Sequence, residues 1–348
     1  MSNIFFSLFF TSIINKNTFL TRDQLLRETF FKKFFKTNRE MVASDTTLIR
    51  NLSNNINRDE LEEINFKIAE RLGDYSIEPA LNRRCMILDG TGIGKQLSET
   101  AIIPAKTNII LGTYKIEKKG KELEGAKRLI RKIALRFDKN YFNLVLYDGL
   151  GYTKNMFNDC DRLLGAKVLV KTTEDLKVVK EVETLINFGI AKVFKESGFD
   201  NERLVKYDIT YANQMSGDTI DFPLKVAVIT EENIKTGVIE TFYVITNDLE
   251  LSPHEMRYAA HLRWRIENNG FKLMNKLFET KKYRSKNRDC IENLYLINII
   301  VYNILMLFLN SPYLKEISKT TVTTTMYWGN LIYLSLINYK YSKFNDSS

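Results

Sequence analysis

The chain has 348 residues, 44% hydrophobic and 27% charged, the make-up of an ordinary globular protein large enough for two or three domains. Its net charge of +9 and pI near 9.2 suit a polyanionic partner, while 42 carboxylates exclude a histone-like basic tail. Cys85, Cys160 and Cys290 form no CxxC pair, and His254 and His261 are the only histidines. That excludes a zinc centre and a Cys/His hydrolase, fits reduced cytoplasmic thiols, and leaves oxygen ligands for any metal, hence magnesium or manganese.

Residues 1–80 read as a helical N-terminal region. Phe5–Ile14 is apolar but short and has no preceding Lys or Arg, so it makes a poor signal peptide. TRDQLLRETFFKKFF (21–35) has a basic, broadly apolar helical pattern, and DTTLIRN (45–51) predicts a second, short helix. Asn57 followed by Glu60 has the form of a capping box opening a third helix, RDELEEINFKIAERL, which Gly73 would end. Three short helices with Arg and Lys fit a DNA-reading helix-turn-helix and fit a generic bundle equally well.

Over 81–188 the pattern alternates between strand and helix. CMIL (85–88) is a continuous apolar run ending in Asp89-Gly90, and strands follow around Thr100–Ile103 and Asn108–Lys115. The amphipathic stretch 122–137 predicts a helix. FNLVLY (142–147) is a second buried strand ending in Asp148-Gly149; a short helix, the strand KVLVK (167–171) and the helix Glu174–Ile186 complete the region. Residues 189–250 contain IAKVF, LVKYDITY, LKVAVIT and VIETFYVIT with no crossover helix, a β-rich insertion of antiparallel strands. Over 251–312, Ser252 starts a long helix, and Leu294–Leu309 is a second, apolar one. The latter is shorter than the ~20 residues of a spanning helix and carries Asn298 and Asn303, so it reads as a core helix, with no membrane partner. The tail, 313–348, is polar and uninformative.

Two buried strands that each end in Asp could present both carboxylates to divalent ions, because neighbouring strands lie about 4.8 Å apart. Asp-Gly is equally a turn dipeptide that merely closes loops. In RWRIENNGFK, Arg263 and Glu267 are four apart and share a helix face, with Trp264 and Ile266 adding apolar bulk. DGTGIGK lacks the spacing and the Ser/Thr of a P-loop, so nucleotide binding is rejected.

Three segments taken together, RRCMILDGTGIGK, VLYDGLGYTKNMFNDCDRLLGAKVLVK and ITNDLELSPHEMRYAAHLRWRIENNGFK, resemble the IS4-type bacterial insertion-sequence transposases of the DDE class. GKELEGAKRLIRKI and REMVASDTTLIRNLS extend the likeness over about residues 39–310. The resemblance implies an α/β, RNase H-like mixed sheet flanked by helices, with a β-rich insertion before the glutamate. It implies Asp89, Asp148 and Glu267 as catalytic and metal-binding carboxylates, Mg²⁺ or Mn²⁺ as cofactor, and cleavage at transposon ends followed by transfer of the 3′-OH into target DNA. The partners would be double-stranded DNA and, in the DNA complex, a second copy of the chain; the setting would be the cytoplasm, at the nucleoid. Arg263, Trp264, Lys272, Lys276, Lys281, Lys282 and Arg284 are the DNA-contacting candidates, the last three within the basic run KKYRSKNR (281–288).

The family signature Tyr-x₂-Arg-x₃-Glu-x₆-Lys is incomplete. Its Tyr falls on Ala260 and its Lys on Met274, with Tyr258 and His261 as substitutes for the first. On a regular helix both signature positions share the face of Glu267, whereas Lys272 and Lys276 lie off it unless Gly270 permits an irregularity. Two further readings therefore accompany the enzyme: a catalytically decayed DNA-binding remnant, and an RNase H-like nuclease without strand transfer.

Overall fold

The computed structural model describes residues 45–310, except 73–75, 94–95, 105–107, 190–192, 201–202, 218, 265, 284 and 286. The predicted helix at 21–35 and the tail from 313 lie outside the described residues. The fold is mixed α/β, a large mixed sheet flanked by helices. Two compact units divide the chain, one from residues 1–72, 92–97 and 269–348, the other from 73–91 and 98–268.

The second unit is built on the sheet. Its strands are β1 (Ile77–Glu78), β2 (Arg83–Ile93), β3 (Gln96–Ile103), β4 (Ile109–Ile116), β5 (Leu144–Tyr147), β6 (Lys167–Thr172), β7 (Val193–Asp200), β8 (Val205–Ser216), β9 (Pro223–Asn233) and β10 (Ile239–Thr246). Residues 92–97 count with the first unit. Neighbours run in the order β4-β3-β2-β5-β6-β10-β9-β8-β7, with β1 paired to β2. The connections from β2 to β3 and from β3 to β4 are too short for a crossover, so these strands form an antiparallel meander. A parallel pair needs a longer return, and α3 (Glu122–Ala134) supplies it between β4 and β5. Gly125, Ala126, Leu129, Ile130 and Ile133 bury one face of α3, which packs on β4. Strand β5 pairs in parallel with β2 on one side and β6 on the other, and all four of its residues are buried. A strand covered on both faces has to be apolar throughout, which is why FNLVLY carries no alternation.

Between β5 and β6 come the one-and-a-half-turn helix α4 (Lys154–Asp159) and a π-helical turn, Cys160–Leu164. Gly165 closes that turn at φ +66°, where a Cβ would fall 1.9 Å from Asn140 Oδ1. Helix α5 (Lys177–Asn187) follows β6. Residues 193–246 then form an antiparallel meander, as the lack of crossover helices predicts, and β10 joins it edgewise to β6. The meander therefore prolongs the sheet rather than standing apart from it. Tyr243 of β10 donates to Glu183 of α5, while its neighbour Phe242 packs on His261 of α6 (Pro253–Leu262). Successive strand residues face opposite ways, so α5 and α6 cover opposite faces of the sheet.

The helix predicted from Ser252 begins as expected, with Ser252 and Glu255 forming a reciprocal capping box and Pro253 in the first turn. It does not run on unbroken. Helix α6 ends at Leu262, a π-helical segment spans Ile266–Phe271, and α7 (Lys272–Phe278) resumes regular geometry. The second unit ends at Asn268, inside the π segment.

In the first unit, α8 (Arg288–Leu309) packs against α1 (Asp45–Asn54) and α2 (Arg58–Glu70). Asn57 caps α2 but accepts from Asp59 N–H, two residues on, so the predicted pairing with Glu60 is not the one formed. Residues 288–307 are long and apolar enough to cross a membrane, yet 78% of the most apolar window is buried inside the protein. Their polar residues have interior partners: Asn293 Nδ2 donates to the Leu52 carbonyl at 2.7 Å, and Asn303 Nδ2 to Asn65 Oδ1 at 2.7 Å. These pairs mark α8 as a core helix of a helical bundle. Replacing Asn293 with Leu keeps the bulk but strips a buried carbonyl of its donor, and should cost about 1–3 kcal/mol in denaturant unfolding. A change within about 0.5 kcal/mol would show that Asn293 does not tie α8 to α1.

Candidate active site

Ile87 of β2, opposite Leu146 of β5, is the last pair between these strands, and Asp89 and Asp148 each follow two residues beyond it. The two carboxylates thus come from neighbouring parallel strands. They are not equivalent. Asp148 ends β5 and caps the short turn Gly149–Gly151, its Oδ1 accepting from Leu150 N–H at 3.0 Å. That turn doubles back so tightly that a Cβ on Gly151 would meet Tyr147 Cδ1 at 2.5 Å. Asp89, expected to end its strand at an Asp-Gly turn, lies inside β2, which continues to Ile93. What ends there is the pairing with β5: beyond Ile87 the partner strand turns away while β2 runs on into the hairpin with β3. The side chain of Asp89 folds back to accept from Gly90 N–H at 2.9 Å.

The third carboxylate arrives on the segment after α6. Arg263 reaches Asp89 Oδ2 with Nη1 at 3.4 Å and Glu267 Oε1 with Nη2 at 3.8 Å. One guanidinium therefore spans two carboxylates, which places those two oxygens within about 10 Å of each other. Asp89 is nearly enclosed, at 16% side-chain exposure, while Glu267 is half open at 49%. Burial pushes the Asp89 carboxyl up to about 6; Glu267 and Asp148 push it the same way, against Arg263 and the Gly90 N–H. Asp148 is also raised, first by burial and further by Glu122 at the start of α3, with Leu150 N–H and Arg263 opposing. Both aspartates therefore hold their negative charge at a cost that a nearby cation would relieve.

Among the described residues no three His, Cys, Asp or Glu side chains converge closely enough to hold a metal ion. The spacing of Asp89 and Glu267 is set around a guanidinium, whose Nε is buried with no hydrogen-bond partner among the described residues.

The other expected site residues divide sharply. Trp264 is half-buried, its ring 4.0 Å from Lys171 Nζ. Lys272 and Lys276 are exposed on α7 and Lys281 and Lys282 on the turn after it, Lys282 paired with Glu279 at 2.6 Å; all four belong to the other unit. Arg284 lies outside the described residues. Ala260 is fully buried and Met274 almost so. The π-helical segment breaks the phase between Glu267 and position 274, so the shared face expected of a regular helix does not apply. Neither substitute for the signature Tyr is free for the carboxylates: Tyr258 donates to Glu78 at 2.6 Å, and His261 Nε2 meets Glu231 at 2.6 Å.

Lys171 and Glu231 were not foreseen. Lys171, next to last in β6, has its ammonium 4.1 Å from the Phe242 ring and 4.0 Å from the Trp264 ring. Burial, followed by Arg263, brings it down to about 8. A charge at the end of the apolar run KVLVK was the one visible hint.

No protein-family model matches the chain, and no curated protein matches it.

Because the folded protein raises the Asp89 carboxyl to about 6 from an ordinary 3.8, it binds more protons than the unfolded chain between those values. Stability contributed by Asp89 is therefore present below pH 4 and lost as pH rises through 6. Asp89→Asn should stabilise the protein by on the order of 2–3 kcal/mol at pH 7 in the presence of a chelator, and hardly at all at pH 4. Equal melting temperatures of wild type and variant at pH 7 would contradict the burial cost assigned to this carboxylate.

Proposed function

We propose that the chain is a DDE-class DNA transposase, cutting DNA at transposon ends and joining the freed 3′-OH to target DNA. The observation that carries this reading is the pairing of β2 with β5, whose last pair is followed two residues on by Asp89 and by Asp148, while Arg263 links Asp89 to Glu267. The order β4-β3-β2-β5-β6 with helical connections, and a β meander between the second Asp and the Glu, are compatible with an RNase H-like core of that class. The likeness to IS4-type sequences supplies the rest, including DNA as substrate and a second chain in the complex.

The residue types suit Mg²⁺ or Mn²⁺, three carboxylates and no sulfur, two of them raised by burial, but with Arg263 between Asp89 and Glu267 the three do not converge closely enough to hold the ion as they stand. When bound, divalent ions supply activation of the attacking oxygen and stabilisation of the charge on phosphate and leaving oxygen. Asp89 and Asp148 would hold them from the rigid strands, and Glu267 would close the set from the helical side. Arg263, released from the carboxylates, has the planar fork suited to a phosphate. No His is required, and the two present are engaged elsewhere.

A decayed, DNA-binding remnant is the second reading, and Ala260 and Met274 favour it. Their burial adds a constraint: Ala260→Tyr would have to place a ring inside a closed core, so restoring the signature there means repacking α6.

Cleavage of cognate ends should require Mg²⁺ or Mn²⁺. Asp89→Asn, Asp148→Asn and Glu267→Gln should each abolish it while leaving DNA binding largely intact, since an amide keeps the shape but loses the charge that holds a hard cation. Undiminished cleavage by Glu267→Gln would overturn the assignment. A wild type that binds ends and never cuts would favour the remnant, and cutting without joining the nuclease.

A further inference from the structure

Glu231 lies on β9 within the β meander, 3% exposed, with two guanidiniums and an imidazole on it. Arg257 Nε donates at 2.6 Å, His261 Nε2 at 2.6 Å and Arg203 Nη1 at 3.1 Å. Arg257, itself only 6% exposed, also donates to Asp200 of β7 at 3.0 Å and lays its guanidinium 4.1 Å from the Tyr207 ring of β8. A turn earlier, His254 pairs with Glu196 of β7 at 2.9 Å. Residues 254, 257 and 261 share one face of α6, so this face is fastened to β7, β8 and β9 by directional charged contacts. Tyr258 ties the helix from another side to Glu78 of β1, the strand paired with β2.

The apolar contacts of α6 could not do the same. Its buried residues include Ala259 and Ala260, which offer little shape, and apolar burial is non-directional. Slipping the helix by one residue rotates it about 100° and shifts it about 1.5 Å, which would carry Arg263 away from Asp89 and Glu267 with it. A buried ion network adds little net stability, but it penalises every arrangement except the one that pairs all its charges.

We propose that Glu231, through Arg257 and His261, is a positioning residue that fixes the rotation and height of α6 and so delivers Arg263 and Glu267 to the aspartates. The local ordering stands on the geometry alone; its consequence for metal binding rests on the transposase reading. Burial, against the pull of Glu231, keeps His261 below its ordinary range, while Glu231, against its own burial, is drawn below its ordinary range by His261 and the two arginines. Glu231→Gln removes the charge and faces two cations with an amide.

The test is hydrogen exchange on the full chain, wild type against Glu231→Gln, with manganese titrated into both. Exchange across residues 259–268 should quicken roughly tenfold or more while β5 and β6 are unchanged. Manganese affinity should weaken about tenfold, the usual effect of removing a residue that orients ligands. Unchanged exchange at 259–268 in the folded variant, or equal quickening of β5 and β6, would overturn the proposal, the latter by making Glu231 a general stability element. If the exchange pattern holds but wild type binds no manganese, the positioning role stands and the transposase reading fails. Should Glu231→Gln not fold, Arg257→Lys keeps the charge but loses the second contact to Asp200, and the same segment reports it.

Discussion

The parallel pairing of β2 with β5 is the constraint from which the site follows. Parallel pairing sets Cys85, Met86 and Ile87 opposite Leu144, Val145 and Leu146, so Asp89 and Asp148 each follow two residues after the last pair. The paired residues are buried, and a slip by one residue would turn their apolar side chains to the wrong side. The hydrophobic effect thus sets the acids in place with no interaction of their own. The cost of burying them is then visible in the upward shift of both carboxyls.

The third acid is held by a different kind of force. Glu267 comes from a segment that is neither strand nor regular helix, and what brings it near Asp89 is the span of one guanidinium. That guanidinium belongs to a helix whose seat on the sheet is fixed by charges, with Glu231 at their centre. One half of the site is therefore placed by packing, and the other by electrostatics.

How far the sequence revealed this depends on the range of each interaction. The buried strands were legible because CMIL and LVLY carry their burial in their own composition, and the meander because it lacks helical periodicity. That Asp89 lies inside a strand was not legible, since Asp-Gly has the local chemistry of a turn and only the hairpin partner β3 overrides it. The π-helical segment was also hidden: the face on which positions 260 and 274 should meet Glu267 assumed a regular helix through Gly270. The Glu231 cluster joins residues 200, 203, 231, 257 and 261 from three separate stretches, and no local pattern announces such a set. Lys171 was passed over for the opposite reason, as an ordinary charge ending an apolar strand.

The proposed function requires that a divalent cation can take the place of Arg263 between the carboxylates. Anomalous diffraction from crystals soaked in Mn²⁺ addresses it directly. The account predicts manganese bound by Asp89 and Asp148, with Glu267 drawn in and the Arg263 guanidinium displaced from both acids. Manganese elsewhere, or none, with Arg263 still spanning Asp89 and Glu267, would contradict it.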